Sequence, residues 1–342
     1  MSINMLVFDY RDSEVDFFKN NHFDNFNIKF FKESLNEETV KKLEQEHKDN
    51  AMVISVFVDS EVTEEVIHHF KNLRIITARS TGYDHINSAA CQKRNISLLN
   101  VANYGSTSVA QYTMGLILAL ERNIVTSAAC LKGWEKTGER FVGRDLSKLT
   151  IGVVGTGAIG SAVCKLAHAF GMQILTYDLY PKQELTDKYN AQYVTLENLL
   201  SKSDIVTLHT PFTGDNKNMI SYSQFNIMKP SAFVINTSRG EIVDIRALKD
   251  ALDTKKIKGA ALDVLNCEEC NLKCHSENTP LEEIKLECVE DVRIAREIVK
   301  YPNVIITPHI AYETQDAIDY ILQCTFDGVI DNIKGGHMYR VF

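Results

Sequence analysis

A chain of 342 residues is long enough for about two domains, each burying its own core. Its composition, 44% hydrophobic and 24% charged with 6 Pro and 17 Gly, is that of a globular protein and excludes low-complexity or collagen-like architecture. A net charge of −8 without a basic block disfavours nucleic-acid binding, and no apolar run approaches the ~20 residues that span a bilayer.

The start, MSINMLVFDYRD, lacks a basic segment and meets Asp9 too early for a secretory signal, so a cytoplasmic protein is expected. Apolar runs at 4–8, 52–58, 73–78 and 96–101 read as buried strands, with helical spacing at 37–45 and 63–70 between them. That alternation predicts a parallel sheet covered on both faces. Residues 106–129 read as one long helix, with Ser106 and Thr107 as caps and MGLILAL as an apolar stripe. A second alternation places strands at 150–154, 173–177, 205–208, 232–236, 259–262 and 304–306. It predicts a six-stranded Rossmann unit beside a smaller flavodoxin-like one. The last helical stretch, 314–333, is expected to return to the first unit. The fold class is therefore α/β, with two doubly wound parallel-sheet domains. A Rossmann cofactor domain at 103–312 is inserted into a catalytic domain formed by 1–102 and 313–342.

The strongest local signal is Gly155-Thr-Gly157-Ala-Ile-Gly160, between a strand and a helical pattern. Gly155 permits a tight turn, Gly157 lets the backbone approach a pyrophosphate, and Gly160 allows close helix–strand packing. The helix N-terminus behind them favours an anion. Asp178 ends the next strand, 18 residues after Gly160, where a carboxylate accepts hydrogen bonds from ribose hydroxyls and repels a 2′-phosphate. NAD is thus favoured over NADP, with Lys182 a nearby basic residue that NADP would need.

Three further strand ends carry polar groups: His209-Thr210-Pro211, Asn236-Thr-Ser-Arg239-Gly240 and Thr307-Pro308-His309. In open α/β sheets ligands bind beyond the carboxyl ends of strands, so these groups should converge. Taken singly each also has a bland reading. His209 reads equally well as a packing residue, Arg239 as a surface ion pair and His309 as a turn residue.

Together the segments RSTGYDHI, NVANYGSTSVAQYT, GVVGTGAIG, SDIVTLHTP, INTSRGEIVD, AALDVLNCEE and NVIITPHIAY resemble the D-isomer-specific 2-hydroxyacid dehydrogenases. The resemblance runs from residue 74 onward, and VFV, DVLNCEE and NVIITPHIAY are most similar to the D-lactate dehydrogenase branch. It implies a catalytic trio of Arg239, Glu268 and His309, with the 41-residue step to His309 implying an enlarged loop before the last strand. For the cofactor it implies Gly155, Gly157, Ala158, Ile159, Gly160, Asp178, Thr210, Pro211, Asn216, Thr237, Ser238, Arg239 and Asp263. Ser80, Thr81 and Gly82 are implied to bind the substrate carboxylate, with Tyr104 and Tyr312 lining the pocket. The family also implies a homodimer joined largely through the cofactor domains. The partner molecule is then a small 2-oxo or 2-hydroxy acid. Arg239 would hold its carboxylate and polarise the carbonyl, while His309 exchanges the proton and Glu268 stabilises imidazolium.

Two positions depart from the family pattern: Ala102, where proline is common, and Glu313, where the D-lactate enzymes carry an aromatic. Other activities therefore stay open, namely phenyllactate, hydroxyisocaproate or glyoxylate/hydroxypyruvate chemistry, as does an NAD-sensing module like the transcriptional corepressors of this fold. The eight cysteines are expected to be reduced. Cys267, Cys270, Cys274 and Cys288 crowd together beside His275, but acidic flanks and the lack of a second compact pair favour loop thiols over zinc.

Overall fold

The computed structural model describes residues 2–21, 23–101, 105–133, 140–270 and 279–342. They fall into two compact units, Met1–Tyr104 with Glu313–Phe342, and Gly105–Tyr312.

The first unit is a five-stranded parallel sheet in the flavodoxin-like order β2-β1-β3-β4-β5. Its strands are β1 (Ile3–Val7), β2 (Phe26–Phe30), β3 (Val53–Val56), β4 (Ile75–Ala78) and β5 (Ser97–Asn100). The sequence reading passes over β2, an edge strand with no fully buried residue, although FNIKF alternates cleanly. The 37–45 stretch is two short helices, Thr39–Lys42 and Gln45–Asn50, rather than one. The C-terminal helix Gln315–Ile333 belongs to this unit. Thr314 caps it by accepting from the Ala317 N–H, and its stripe Ile318, Leu322, Phe326 and Val329 buries against Met5, Val7, Val53 and Ile75. Each such side chain contributes about 1.5–3 kcal/mol of burial.

The second unit is a seven-stranded parallel sheet in the order β12-β11-β10-β9-β6-β7-β8, which reverses direction at β6/β9. It comprises β6 (Thr150–Val154), β7 (Gln173–Tyr177), β8 (Gln192–Tyr193), β9 (Ile205–Leu208), β10 (Phe233–Asn236), β11 (Gly259–Leu262) and β12 (Val304–Ile306). The expected count of six missed β8, whose two residues are too short to show a period. Side chains alternate between two cores, as a doubly covered sheet requires: Val206, Leu208 and Val234 enter one, Ile205, Phe233 and Ile235 the other.

The single helix expected at 106–129 is a correction. Helix α1 (Ser106–Glu121) ends at Arg122, and α2 (Ile124–Leu131) starts after a 60° bend. Asn123 makes the break by adopting a left-handed conformation at φ 52°. The N-cap is Gly105, which offers no capping side chain, and Ser106 is already helical. No single helix among the described residues is long and apolar enough to cross a membrane. The bent α1–α2 pair passes on length and composition, yet α1 buries Ala110, Met114, Ile117 and Leu120 in the core.

Candidate active site

The site is built within the second unit, at the carboxyl edge of its sheet. Strand β6 delivers the glycine turn and helix α3 (Ala158–Ala169) follows. Gly155 adopts φ 89°, and any Cβ there would press on the backbone of His209, because β6 and β9 pair in register and the His209 N–H donates to the Val154 carbonyl. Gly160 lies so close to the Gly155 carbonyl that a side chain has no room. Gly157, by contrast, has nothing within 4 Å of a Cβ position. It is the N-cap of α3 without a side-chain partner, and Gly157 and Ala158 are exposed while Ile159 is half-buried. The first N–H groups of α3 thus face open space suited to a pyrophosphate.

Two buried polar atoms beside this turn, His209 Nδ1 and Thr210 Oγ1, have no hydrogen-bond partner among the described residues, as expected where a ligand completes the site. His209 Nε2 pairs with Thr207 Oγ1 at 2.9 Å, and burial pushes its pKa down to about 3, so it is a neutral packing residue rather than an acid. At the end of β7, Asp178 Oδ2 accepts from the Thr156 N–H at 2.5 Å and Thr156 Oγ1 at 2.9 Å, and Oδ1 accepts from the Tyr180 N–H at 2.8 Å. Burial works to raise its pKa, but these bonds outweigh it and hold the carboxyl below the usual range. Lys182 Nζ donates to Ser161 Oγ at 3.2 Å. Asn216 spends its side chain on its own loop, donating to the Pro211 carbonyl and accepting from the Thr213 N–H.

The remaining strand ends are aligned by register. Asn236 pairs with Leu262, and Leu262 with Ile306, so the segments after β10, β11 and β12 emerge side by side. Asn236 shapes the first. Its Oδ1 accepts from the Ser238 N–H and hydroxyl, and its Nδ2 donates to the Arg239 carbonyl at 2.8 Å. Thr237 turns inward and pairs with Thr113 of α1 at 3.0 Å. Arg239 is half-buried, and one Nη donates to the Ser238 carbonyl. Gly240 has no room for a Cβ because the Leu265–Asn266 backbone lies against it, which brings the Arg239 and Glu268 loops together.

Asp263 clamps the third segment. Its carboxylate accepts from Thr307 Oγ1 and the N–H groups of Ile310 and Ala311, while its carbonyl accepts from the His309 N–H at 2.9 Å. These bonds hold His309 at φ 55°, a left-handed conformation that costs a non-glycine residue on the order of 1 kcal/mol or more. His309 Nδ1 then meets Glu268 Oε2 at 2.7 Å, and Glu268 Oε1 accepts from the Leu265 N–H at 3.1 Å. Burial disfavours the imidazolium, but the Glu268 bond and charge outweigh it. Asp263 adds, the Arg239 charge opposes, and His309 is held above the ordinary histidine value. Nδ1 being occupied, Nε2 is the ring atom left to exchange a proton. Tyr312 is buried, with its Cβ against Gly105.

In the first unit, Ser80 Oγ donates to the Gly82 carbonyl at 2.6 Å and Thr81 Oγ1 to the Val101 carbonyl at 3.0 Å, giving a tight turn at the end of β4. Arg79, 1% exposed, underpins it by binding Glu14, Ser55 and the carbonyls of Phe8 and Asp9. Sequence reasoning missed the Arg79–Glu14 pair, as it missed Thr307 and Gly240 as organisers, because each acts through a partner distant in sequence; it also missed Asn236, whose partners lie only two and three residues on. Glu313 is exposed; Ala102, Tyr104, Cys274 and His275 lie outside the described residues. The expectation of reduced cysteines is overturned for two of them: Cys267 and Cys288 form a disulfide, since their loops fold back to a Cα separation of 5.9 Å.

Residues 114–311 match the model of the D-isomer specific 2-hydroxyacid dehydrogenase NAD-binding domain. The chain is 37% identical to a D-specific alpha-keto acid dehydrogenase of Enterococcus faecium over 81% of its length and 82% of the relative's. It is 31% identical to a D-2-hydroxyacid dehydrogenase (NAD+) of Lacticaseibacillus paracasei over 98% and 97%. Among solved structures, D-lactate dehydrogenase of Aquifex aeolicus, complexed with NAD and lactic acid, superposes with a TM-score of 0.82 at 32% identity, covering 97% of this chain and 96% of that one.

Proposed function

Because this chain belongs to the D-isomer-specific 2-hydroxyacid dehydrogenases and carries their NAD-binding domain, we propose that it is a D-lactate dehydrogenase, reducing pyruvate to D-lactate. The observation that carries the reading is the 2.7 Å pair of His309 Nδ1 with Glu268 beside the Arg239 loop. Arg239 binds the substrate carboxylate through its planar fork and polarises the neighbouring carbonyl. His309 Nε2 gives its proton to the carbonyl oxygen in reduction and takes it back in oxidation, while Glu268 fixes the ring and stabilises its cation. The buried Tyr312 lines the pocket.

NAD is held by the glycine turn and the first residues of α3, Ala158 and Ile159, at the pyrophosphate and by Asp178 at the ribose. Thr210, Pro211, Asn216, Thr237, Ser238 and Asp263 form the rest of its bed. Bound NADH supplies the hydride. The reading is supported by the kinship to D-lactate dehydrogenase structures and by the orphaned polar atoms at the turn. It is tested by following NADH oxidation with pyruvate, phenylpyruvate, 2-oxoisocaproate, oxaloacetate and glyoxylate, with product chirality determined. Pyruvate is expected to give the highest kcat/KM and D-lactate as product; preference for another acid overturns the substrate assignment. Run with NADPH as well, the assay is expected to show an NADH preference in the native enzyme that shrinks about tenfold or more in Asp178→Ala.

The same reading assigns a homodimer. Helix α2 buries none of its eight residues and exposes Ile124, Val125 and Leu131, a face that a second copy would cover. Sedimentation is expected to give twice the 38.6 kDa chain mass. Replacing Ile124 and Val125 together by Glu should shift the protein to monomer, and a native monomer would refute the assignment.

A further inference from the structure

The Glu268–His309 pair depends on the loop after β11, and a covalent bond closes that loop. Cys267, immediately before Glu268, is bonded to Cys288, 21 residues on. Cys267 sits at φ 55°, and Cys288 is the N-cap residue of helix α4 (Val289–Ile298). Around the bridge is a small apolar cluster separate from the sheet cores. Ile284, Cys288 and Val292 are buried, with Cys267, Cys270, Leu281 and Val289 packed on them. Among the described residues, polar bonds add to it: Cys270 N–H to the Cys267 carbonyl, Leu265 N–H to Glu268, Asn266 to Asp291, and Arg296 to the carbonyls of Cys270 and Thr279.

We propose that Cys267–Cys288 is a reversible thiol–disulfide site, taking a dithiol reductant, whose closed form positions Glu268 against His309. The chemistry balances as two exchanges. A thiolate of the reductant attacks Cys267 Sγ, the half-exposed end, since Cys288 is only 5% exposed. The S–S bond breaks, its electron pair leaves on Cys288 Sγ, and that sulfur takes a proton from solvent. The reductant's second thiol then displaces Cys267 from the mixed disulfide. Two electrons and two protons have entered the protein, and the reductant departs as its own disulfide.

Two features suit the bridge to this exchange. The leaving thiolate of Cys288 lies at the N-terminus of a ten-residue helix, whose unpaired N–H groups favour negative charge. The first-turn carboxylates Glu290 and Asp291, which oppose it, are paired with Arg293 at 2.8 Å and Arg246 at 3.1 Å. Of the charged groups acting on His309, Glu268 and Asp263 favour its cation and Arg239 opposes it. Only Glu268 rides on the bridged loop, because Asp263 is fixed directly at the end of β11. Opening the bridge therefore loosens the group that most favours imidazolium.

The effect on turnover rests on the dehydrogenase reading; the effect on His309 does not. The experiment compares air-oxidised full-length enzyme with enzyme treated with dithiothreitol, and with Cys288→Ser. Free thiols are counted, the His309 ring titration is followed by NMR without substrate, and kcat for pyruvate is measured at pH 8. Oxidised enzyme is expected to show two fewer thiols than the reduced form. Reduction should lower the His309 titration midpoint and cut kcat about tenfold, as weakened acid–base positioning requires. Cys288→Ser should match the reduced form and ignore dithiothreitol. Equal thiol counts before and after treatment overturn the proposal, and so does a gain of two thiols with the His309 midpoint unchanged. Absence of turnover with every 2-oxo acid, alongside a redox-dependent His309 midpoint, would instead refute the dehydrogenase reading and leave the switch standing.

Discussion

Replacing His309 by alanine is expected to lower kcat for pyruvate reduction by about 10²–10⁴-fold, roughly 2.7–5.5 kcal/mol of barrier, while NADH affinity stays within about twofold. The asymmetry follows from geometry. Nδ1 is committed to Glu268, so the proposed mechanism exchanges the proton through Nε2, and the groups proposed to bind the cofactor, the glycine turn and Asp178, do not include the ring. Asp263 holds the 307–311 segment through hydrogen bonds from Thr307, Ile310 and Ala311, so the loop keeps its path after the substitution. The pH profile supplies the sign. With the protonated imidazole as the donor in reduction, as proposed, kcat should be high below the His309 pKa in the folded protein and fall as pH rises through it. Glu268 raises that pKa, so the alkaline limb should lie above the ordinary histidine value of about 6.5, and D-lactate oxidation should show the mirror-image dependence. In His309→Ala the limb should vanish. Stopped-flow turnover with fluorescence titration of NADH checks both; unaltered turnover would remove His309 from the chemistry.

Arg239→Gln is expected to reduce kcat/KM for pyruvate by about 10²–10³-fold, comparable to the loss of a single transition-state hydrogen-bond donor. Arg239→Lys should fall between, because a lysine restores the charge and not the fork. A purely structural Arg239 would predict uniform instability instead. The distinguishing readout is the pH limb: Arg239 opposes protonation of His309, so its removal should move the limb of the residual activity to higher pH. A limb that stays in place would separate Arg239 from the imidazole and with it from the substrate carboxylate.

Much of this was legible in the chain itself. GTGAIG between a strand and a helix, with Asp178 at the next strand end, is a local pattern whose geometry follows from steric rules, and the structure puts Gly155, Gly157 and Gly160 to three different uses. The alternation of apolar runs likewise fixed two parallel sheets, because a strand buried on both faces has no polar alternative. What it missed were elements with weak or interrupted signals, namely the two-residue β8, the edge strand β2 and the left-handed Asn123 that splits the long helix.

Residue types and order, then, determined the fold class and the nucleotide turn, and the resemblance of the motifs to the family named Arg239, Glu268 and His309 as candidates. Only the tertiary structure decided how they are held: Asp263 as the clamp on the His309 segment, Asn236 as the organiser of the Arg239 turn, Gly240 as the point where two loops touch, and Cys267 joined to Cys288. The Asn236 turn is local, reaching three residues on, whereas the clamp, the Gly240 contact and the disulfide join segments 21 to 48 residues apart. Period and propensity report on neighbours along one element, whereas such contacts exist only once parallel pairing has set β10, β11 and β12 in register.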